Sequence, residues 1–168
     1  MAQSHSHRLI VTGWNRSIEW LLLTVVLAVL VVVFVRHMRV VQGQSEYAAV
    51  RTTLGALRTA LVIDFLQQSA QSGAVGTVAK EPGSPFDLLK HSPANYAGIV
   101  SARQASAVTP GSWVYDPECP CVGYRPLDDE WFDSPSGEVL AWYVMSGAPG
   151  PLQLTAKEKY RWQDQMLD

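Results

Sequence analysis

The chain has 168 residues, 48% of them hydrophobic, with a formal net charge of -2 at pH 7. That balance excludes the dense basic face that neutralises phosphates, so no nucleic-acid partner is expected. Once the apolar N-terminal part is set aside, about a hundred residues remain for a core in water. A unit of that size buries only about 60 to 70% of its unfolded surface, so its sheet needs a supporting helix.

Residues 1–17 carry Arg8 and Arg16 and read as an N-terminal cytoplasmic segment or leader. From Trp20 to Val35 the chain runs WLLLTVVLAVLVVVFV, sixteen residues with no charge and only Thr24 polar. As a helix this covers about 24 Å of a hydrocarbon core of about 30 Å, and Ile18 with the flanking Trp and Arg side chains extends the match by snorkelling. A cleaved signal peptide would also have basic residues before an apolar run. Here the run ends in Arg36-His37-Met38-Arg39 rather than in small residues, which favours a retained anchor. The expected membrane helix is 18–41, with Trp20, Leu21, Leu22, Leu23 and Val35 in lipid. Arg8 and Arg16 precede it while Arg36, Arg39 and Arg51 follow it, so the positive-inside count does not favour an inside N-terminus. The larger C-terminal region and its two cysteines suit an oxidising compartment, which places the N-terminus inside and the C-terminal domain outside. Thr24 and Ala28 add a small face for helix packing.

Residues 42–72 read as an amphipathic helix. After the polar stretch Gln42-Gly43-Gln44-Ser45, apolar residues recur at Tyr47, Val50, Leu54, Leu57, Leu61 and Phe65, in steps of three and four that draw one stripe. Glu46, Arg51, Arg58 and Asp64 fall mostly off it. The helix is either continuous with the anchor or separated from it at Gly43. A sheet from the same chain is the economical cover for the stripe, and a dimeric coiled coil is the alternative.

Residues 73–168 form the sheet domain with its loops. Ser84 and Pro85 open a short helical turn through Lys90, and Pro93 to Gly98 reads as an irregular turn. Ser112–Asp116 and Cys121–Arg125 are aromatic and β-branched runs around Pro117-Glu118-Cys119-Pro120, a hairpin signal. Glu138–Ser146 is the clearest strand, and Leu152–Thr155 supplies a short fourth. Trp113 and Tyr115 share one face of the first strand, as Val122 and Tyr124 do on the second, so either face can meet the helical stripe. The fold class is therefore α+β: a long N-terminal helix, anchor plus amphipathic continuation, packed on a small antiparallel sheet. The residues expected at that contact are Leu54, Leu57, Leu61, Phe65, Trp113, Tyr115 and Tyr124.

This layout resembles that of type IV pilin-like proteins. Thr53-Leu-Gly-Ala-Leu-Arg-Thr-Ala-Leu61, Pro93-Ala-Asn-Tyr-Ala-Gly98, Pro110-Gly-Ser-Trp-Val-Tyr-Asp116 and Val122-Gly-Tyr-Arg125 are similar to segments of the small biogenesis proteins of mannose-sensitive haemagglutinin (MSHA) type pili. The resemblance covers residues 20 to 126. It implies a single-pass protein of a bacterial inner membrane with a periplasmic C-terminal domain. Its implied partners are membrane lipid and other pilus or secretion-system membrane proteins or pilins. The motifs support a fold rather than an activity. Filament pilins are cut after a Gly and carry Glu at the fifth mature position. Here Gly13 precedes Trp14, Glu19 is the sixth residue after that Gly, and Arg16 puts a charge where an apolar residue is usual, so an uncut assembly factor is the expectation.

Cys119-Pro120-Cys121 is a disulfide candidate in the hairpin turn; free or metal-bound thiols and a redox pair are its alternatives. The redox reading is weakened by the single intervening residue and by the lack of a helix N-terminus to lower a thiol pKa. Asp128, Asp129, Glu130 and Asp133 could offer oxygens to a calcium ion but lack the spacing of a calcium loop, so a solvated acidic turn around Trp131 and Phe132 is expected. His5 and His7 make a weak metal pair. No nucleophile, base and orienting group share a readable spacing, and no phosphate loop follows a strand. The function expected is thus non-catalytic, through protein–protein contacts, with no cofactor, no metal and no small-molecule substrate. The alternative is a membrane-tethered periplasmic redox or ligand-binding factor that uses Cys119 and Cys121, or a sheet pocket lined by Trp142 and Tyr143.

Overall fold

The structure, a computed structural model, describes residues 6–72, 83–147 and 150–167, with side chains omitted for 6–15, 72, 102 and 103. A single helix, α1 (Ser6–Ser72), runs for 67 residues, so the polar stretch at Gln42–Ser45 does not break it. It is described as far as Ser72, the bound expected of the amphipathic stretch, and residues 73–82 lie outside the described residues. Two compact units divide the chain, Met1–Gln42 and Gly43–Asp168.

The described residues of the first unit are helix alone. Trp20, Leu21, Leu22, Leu23 and the residues through Val35 are exposed around its circumference, and the segment is long and apolar enough to cross a membrane. Thr24 donates its hydroxyl back to the Trp20 carbonyl at 2.8 Å, so the one polar side chain in the run is satisfied within the helix.

In the second unit α1 buries Val50, Leu54, Leu57 and Leu61, with Tyr47 and Phe65 half-buried at the ends of the stripe. Each full burial of such a side chain contributes about 1.5 to 3 kcal/mol. The cover is a five-stranded sheet of β1 (Tyr96–Ile99), β2 (Trp113–Asp116), β3 (Cys121–Tyr124), β5 (Ala141–Ser146) and β6 (Gln153–Ala156), in the spatial order β1-β2-β3-β5-β6. Trp113, Tyr115, Val122, Tyr124 and Tyr143 point from it to the helix, in the same cluster as the stripe. Val114, Cys121, Leu140 and Trp142 form a second cluster on the opposite face. Period-two alternation separates the two sets.

The fold is α+β, with three differences from the expectation. The sheet is mixed rather than wholly antiparallel: Tyr96–Ile99, expected as part of an irregular turn, is β1 and pairs parallel with β2. Gly98 at φ +98° supplies a backbone conformation few other residues adopt. The second difference is a further sheet, β4 (Phe132–Asp133), β7 (Tyr160–Trp162) and β8 (Gln165–Leu167), in the order β4-β7-β8. Finally, the turn after Ser84 is a four-residue 3₁₀ helix, Pro85–Leu88, that buries Phe86 against Trp113 and Tyr96.

The β2–β3 hairpin holds Trp113 opposite Tyr124, and β3 then pairs antiparallel with β5. Gly123 sits opposite Trp142, where a Cβ would stand 2.7 Å from that ring and 2.9 Å from Val114, so only glycine fits there. Arg125, just past β3, donates to the carbonyls of Ser106 and Val108 at 2.9 and 2.5 Å and ties the hairpin to the connection that precedes it.

Candidate functional site

Among the described residues of the second unit, a polar cluster surrounds the α1 turn Gly43–Tyr47. Glu46 is only 8% exposed. Its place in the sequence suggested a charge off the stripe, but it stands one turn before Val50 and faces the sheet. Burial is tolerated because Oε1 accepts both the Tyr124 hydroxyl at 2.7 Å and the Leu127 backbone N–H at 2.9 Å. Oε2 is buried with no hydrogen-bond partner among the described residues.

Around the same turn, the Trp162 indole N–H donates to the Gly43 carbonyl at 2.9 Å and the Tyr47 hydroxyl to the Met166 carbonyl at 2.9 Å. Gly43 lets its cover come close: a Cβ there would collide with the Gln163 side chain and stand 3.2 Å from the Trp131 ring. The turn Gly43–Tyr47 is thereby fastened to β3, to the segment before β4 and to both β7 and β8. These bonds lock the helix turn to its cover, so the set works mechanically as a joint.

Burial pushes the Tyr124 hydroxyl far above its ordinary range, reinforced by the hydrogen bond to Glu46 and by its charge. Burial likewise pushes Tyr160 up to about 12, opposed in part by its bond from the Trp142 N–H at 3.0 Å. A phenol whose pKa is raised on folding contributes stability that is full below pH 10 and lost as the pH rises through the folded value. In an absorbance titration, Tyr124 and Tyr160 should therefore stay protonated past pH 11, and Tyr160→Phe should flatten the loss of stability between pH 10 and 12. An unchanged alkaline slope in that variant would contradict the assignment.

Glu158 is held below the usual carboxylate range by the Ser136 hydroxyl, and further by the Ser136 N–H and the Ser134 hydroxyl. It secures the loop before β5 to the turn before β7.

Cys119 and Cys121 are joined by a disulfide with their Cα atoms 5.2 Å apart. Cys121 is buried in the rear cluster and Cys119 lies half-buried at its margin. Trp142 and Tyr143, proposed together as a pocket lining, point to opposite faces of β5, so they cannot line one pocket; alternation along a strand forbids it.

Asp129, Glu130 and Asp133 are exposed, in keeping with the solvated acidic turn expected there. Asp128 caps a short 3₁₀ turn, Asp129–Trp131, by accepting the Glu130 N–H at 3.1 Å, and Asp133 ends β4. Among the described residues, no three His, Cys, Asp or Glu side chains gather to hold a metal ion. His5 lies outside the described residues, as do the side chains of His7 and Trp14. Gly13 and Trp14 are within α1, and Glu19 is exposed on it.

The sequence pointed to the stripe and to the cysteines but not to the joint, because Glu46 and Tyr124 are 78 residues apart. The usable signal was an acidic residue one turn ahead of a buried valine. Compared with known proteins, the chain matches no family model, no curated sequence and no solved structure.

Proposed function

We propose that this chain is a non-catalytic, membrane-anchored, pilin-like component of type IV pilus biogenesis, of the MSHA type or a related secretion system. In this reading it resides in a bacterial inner membrane with its sheet domain in the periplasm. It acts by contacts with other pilus or secretion-system membrane proteins or pilins, and uses no cofactor. The observation that carries the reading is one uninterrupted helix whose first part is bare and apolar while its continuation, through Val50, Leu54, Leu57 and Leu61, is covered by a sheet from the same chain. The segments that resemble MSHA biogenesis proteins serve that cover: Trp113 and Tyr124 face each other on the hairpin against the helix.

The test is deletion of the gene in its own bacterium, with surface pili counted by electron microscopy. Pili should be lost, and the full chain should restore them. Wild-type numbers after deletion would end the proposal. Complementation with Cys119→Ser plus Cys121→Ser addresses the thiol alternative. Opening so small a ring should cost only about 1.6 kcal/mol by the chain-entropy relation, so the variant should still fold and restore pili. A folded variant that fails to restore them would move the function to the thiols.

A further inference from the structure

The end of the second unit that receives α1 carries apolar side chains the fold leaves bare. Leu127 is 61% exposed and Met166 47% exposed, while Trp131 is half-buried. A single exposed leucine is ordinary. These residues, however, are fixed around one turn: the Leu127 N–H bonds Glu46, the Met166 carbonyl receives the Tyr47 hydroxyl, and the Trp131 ring lies against Gly43. All three residues thus gather at the turn Gly43–Tyr47.

That end is also the tethered one. Seven residues, Arg36–Gln42, separate Val35 at the end of the apolar run from Gly43. As helix they rise about 10 Å, little more than a headgroup layer of about 5 to 8 Å. Tryptophan, with an apolar ring and one N–H, is the side chain most at home in that layer, and leucine and methionine gain by entering its acyl boundary. Charge narrows the choice of surface. Asp128, Asp129, Glu130 and Asp164 flank the same residues in sequence and outnumber Arg125, which pairs with Asp129, and Arg161, while Arg36 and Arg39 belong to the tether; an anionic bilayer repels that acidic surplus whereas a zwitterionic one does not.

We propose that the Gly43 end of the second unit docks on the zwitterionic headgroup surface of the membrane, with Leu127, Trp131 and Met166 as its lipid contacts. This docking rests on the reading of Trp20–Val35 as a membrane span. It would hold the sheet domain against the bilayer rather than leave it free to swing on the helix.

The test uses the full chain in phosphatidylcholine nanodiscs. Single cysteines are introduced by Leu127→Cys, Met166→Cys, Phe34→Cys or Leu66→Cys and labelled with a fluorophore, with the native disulfide checked by intact mass. Spin-labelled lipid is the quencher. Leu66 is a matched control: it is 58% exposed and stands on the same helix about 35 Å beyond Gly43. Quenching at 127 and 166 should exceed that at 66 by about twofold or more, and should fall when phosphatidylglycerol replaces half the lipid. Quenching at 34 with 127 and 166 no different from 66 would overturn the docking while leaving the span intact. An unquenched label at 34 would overturn the span and the docking with it. Because Leu127 also packs over Gly111, the Met166→Cys chain decides the matter if Leu127→Cys does not fold.

Discussion

Trp162→Ala should lower the stability of the second unit by about 3 to 5 kcal/mol, a large share of the roughly 5 to 15 kcal/mol that holds a domain together. Trp162 is fully buried on β7, and its ring meets Tyr47, Tyr124 and Phe132 with centroids 6.5, 6.3 and 6.4 Å away. It is the side chain that joins the helix, the larger sheet and the smaller one. Removing it leaves a cavity lined by three rigid rings that cannot collapse inward. Trp162→Phe separates packing from hydrogen bonding: most of the ring volume stays while the bond to the Gly43 carbonyl goes, which should cost about 0.5 to 1.5 kcal/mol for the bond itself. The measurement is urea unfolding of the detergent-solubilised full chain, followed by near-ultraviolet circular dichroism. Equal losses in the two variants would mean that the indole N–H, not the ring, is what matters.

Glu46→Ala should cost about 2 to 5 kcal/mol, because it strands two donors at once. The Tyr124 hydroxyl and the Leu127 N–H both point at Oε1, and Glu46 itself is only 8% exposed. Glu46→Gln keeps an acceptor oxygen there and should recover at least half of the loss. A double-mutant cycle with Tyr124→Phe gives the sharper reading: residues sharing one buried bond should show a coupling of about 0.5 to 3 kcal/mol. Strict additivity would mean that the bond contributes nothing to holding the helix.

How far the chain could be read before folding depended on the length of each element. The stripe was legible because Val50, Leu54, Leu57 and Leu61 repeat over several turns, and the hairpin because aromatic runs flank a turn dense in proline. The parallel strand Tyr96–Ile99 was not. Four residues with alternate ones exposed, and a glycine among them, carry too little pattern to outweigh the turn signals before it. Nor was the small sheet, whose strands span only two and three residues; it exists because Tyr160, Trp162 and Leu167 are buried, a tertiary cause that local propensity does not encode. The joint at Glu46 was hidden for the same reason, since a charge reads as solvated until its distant partners are known. The disulfide-bonded pair and the apolar helix, long enough to cross a membrane, needed no distant partner to be noticed.

Because ribosomes build from the N-terminus, the turn at Gly43 is made 119 residues before the tryptophan that bonds its carbonyl. During that interval Val50, Leu54 and Leu57 emerge with their partners still unsynthesised, so the nascent helix presents a greasy edge to whatever machinery handles it. Closure then waits on β7 and β8, and a ribosome stalled before codon 160 would yield a helix and hairpin that lack their final latch.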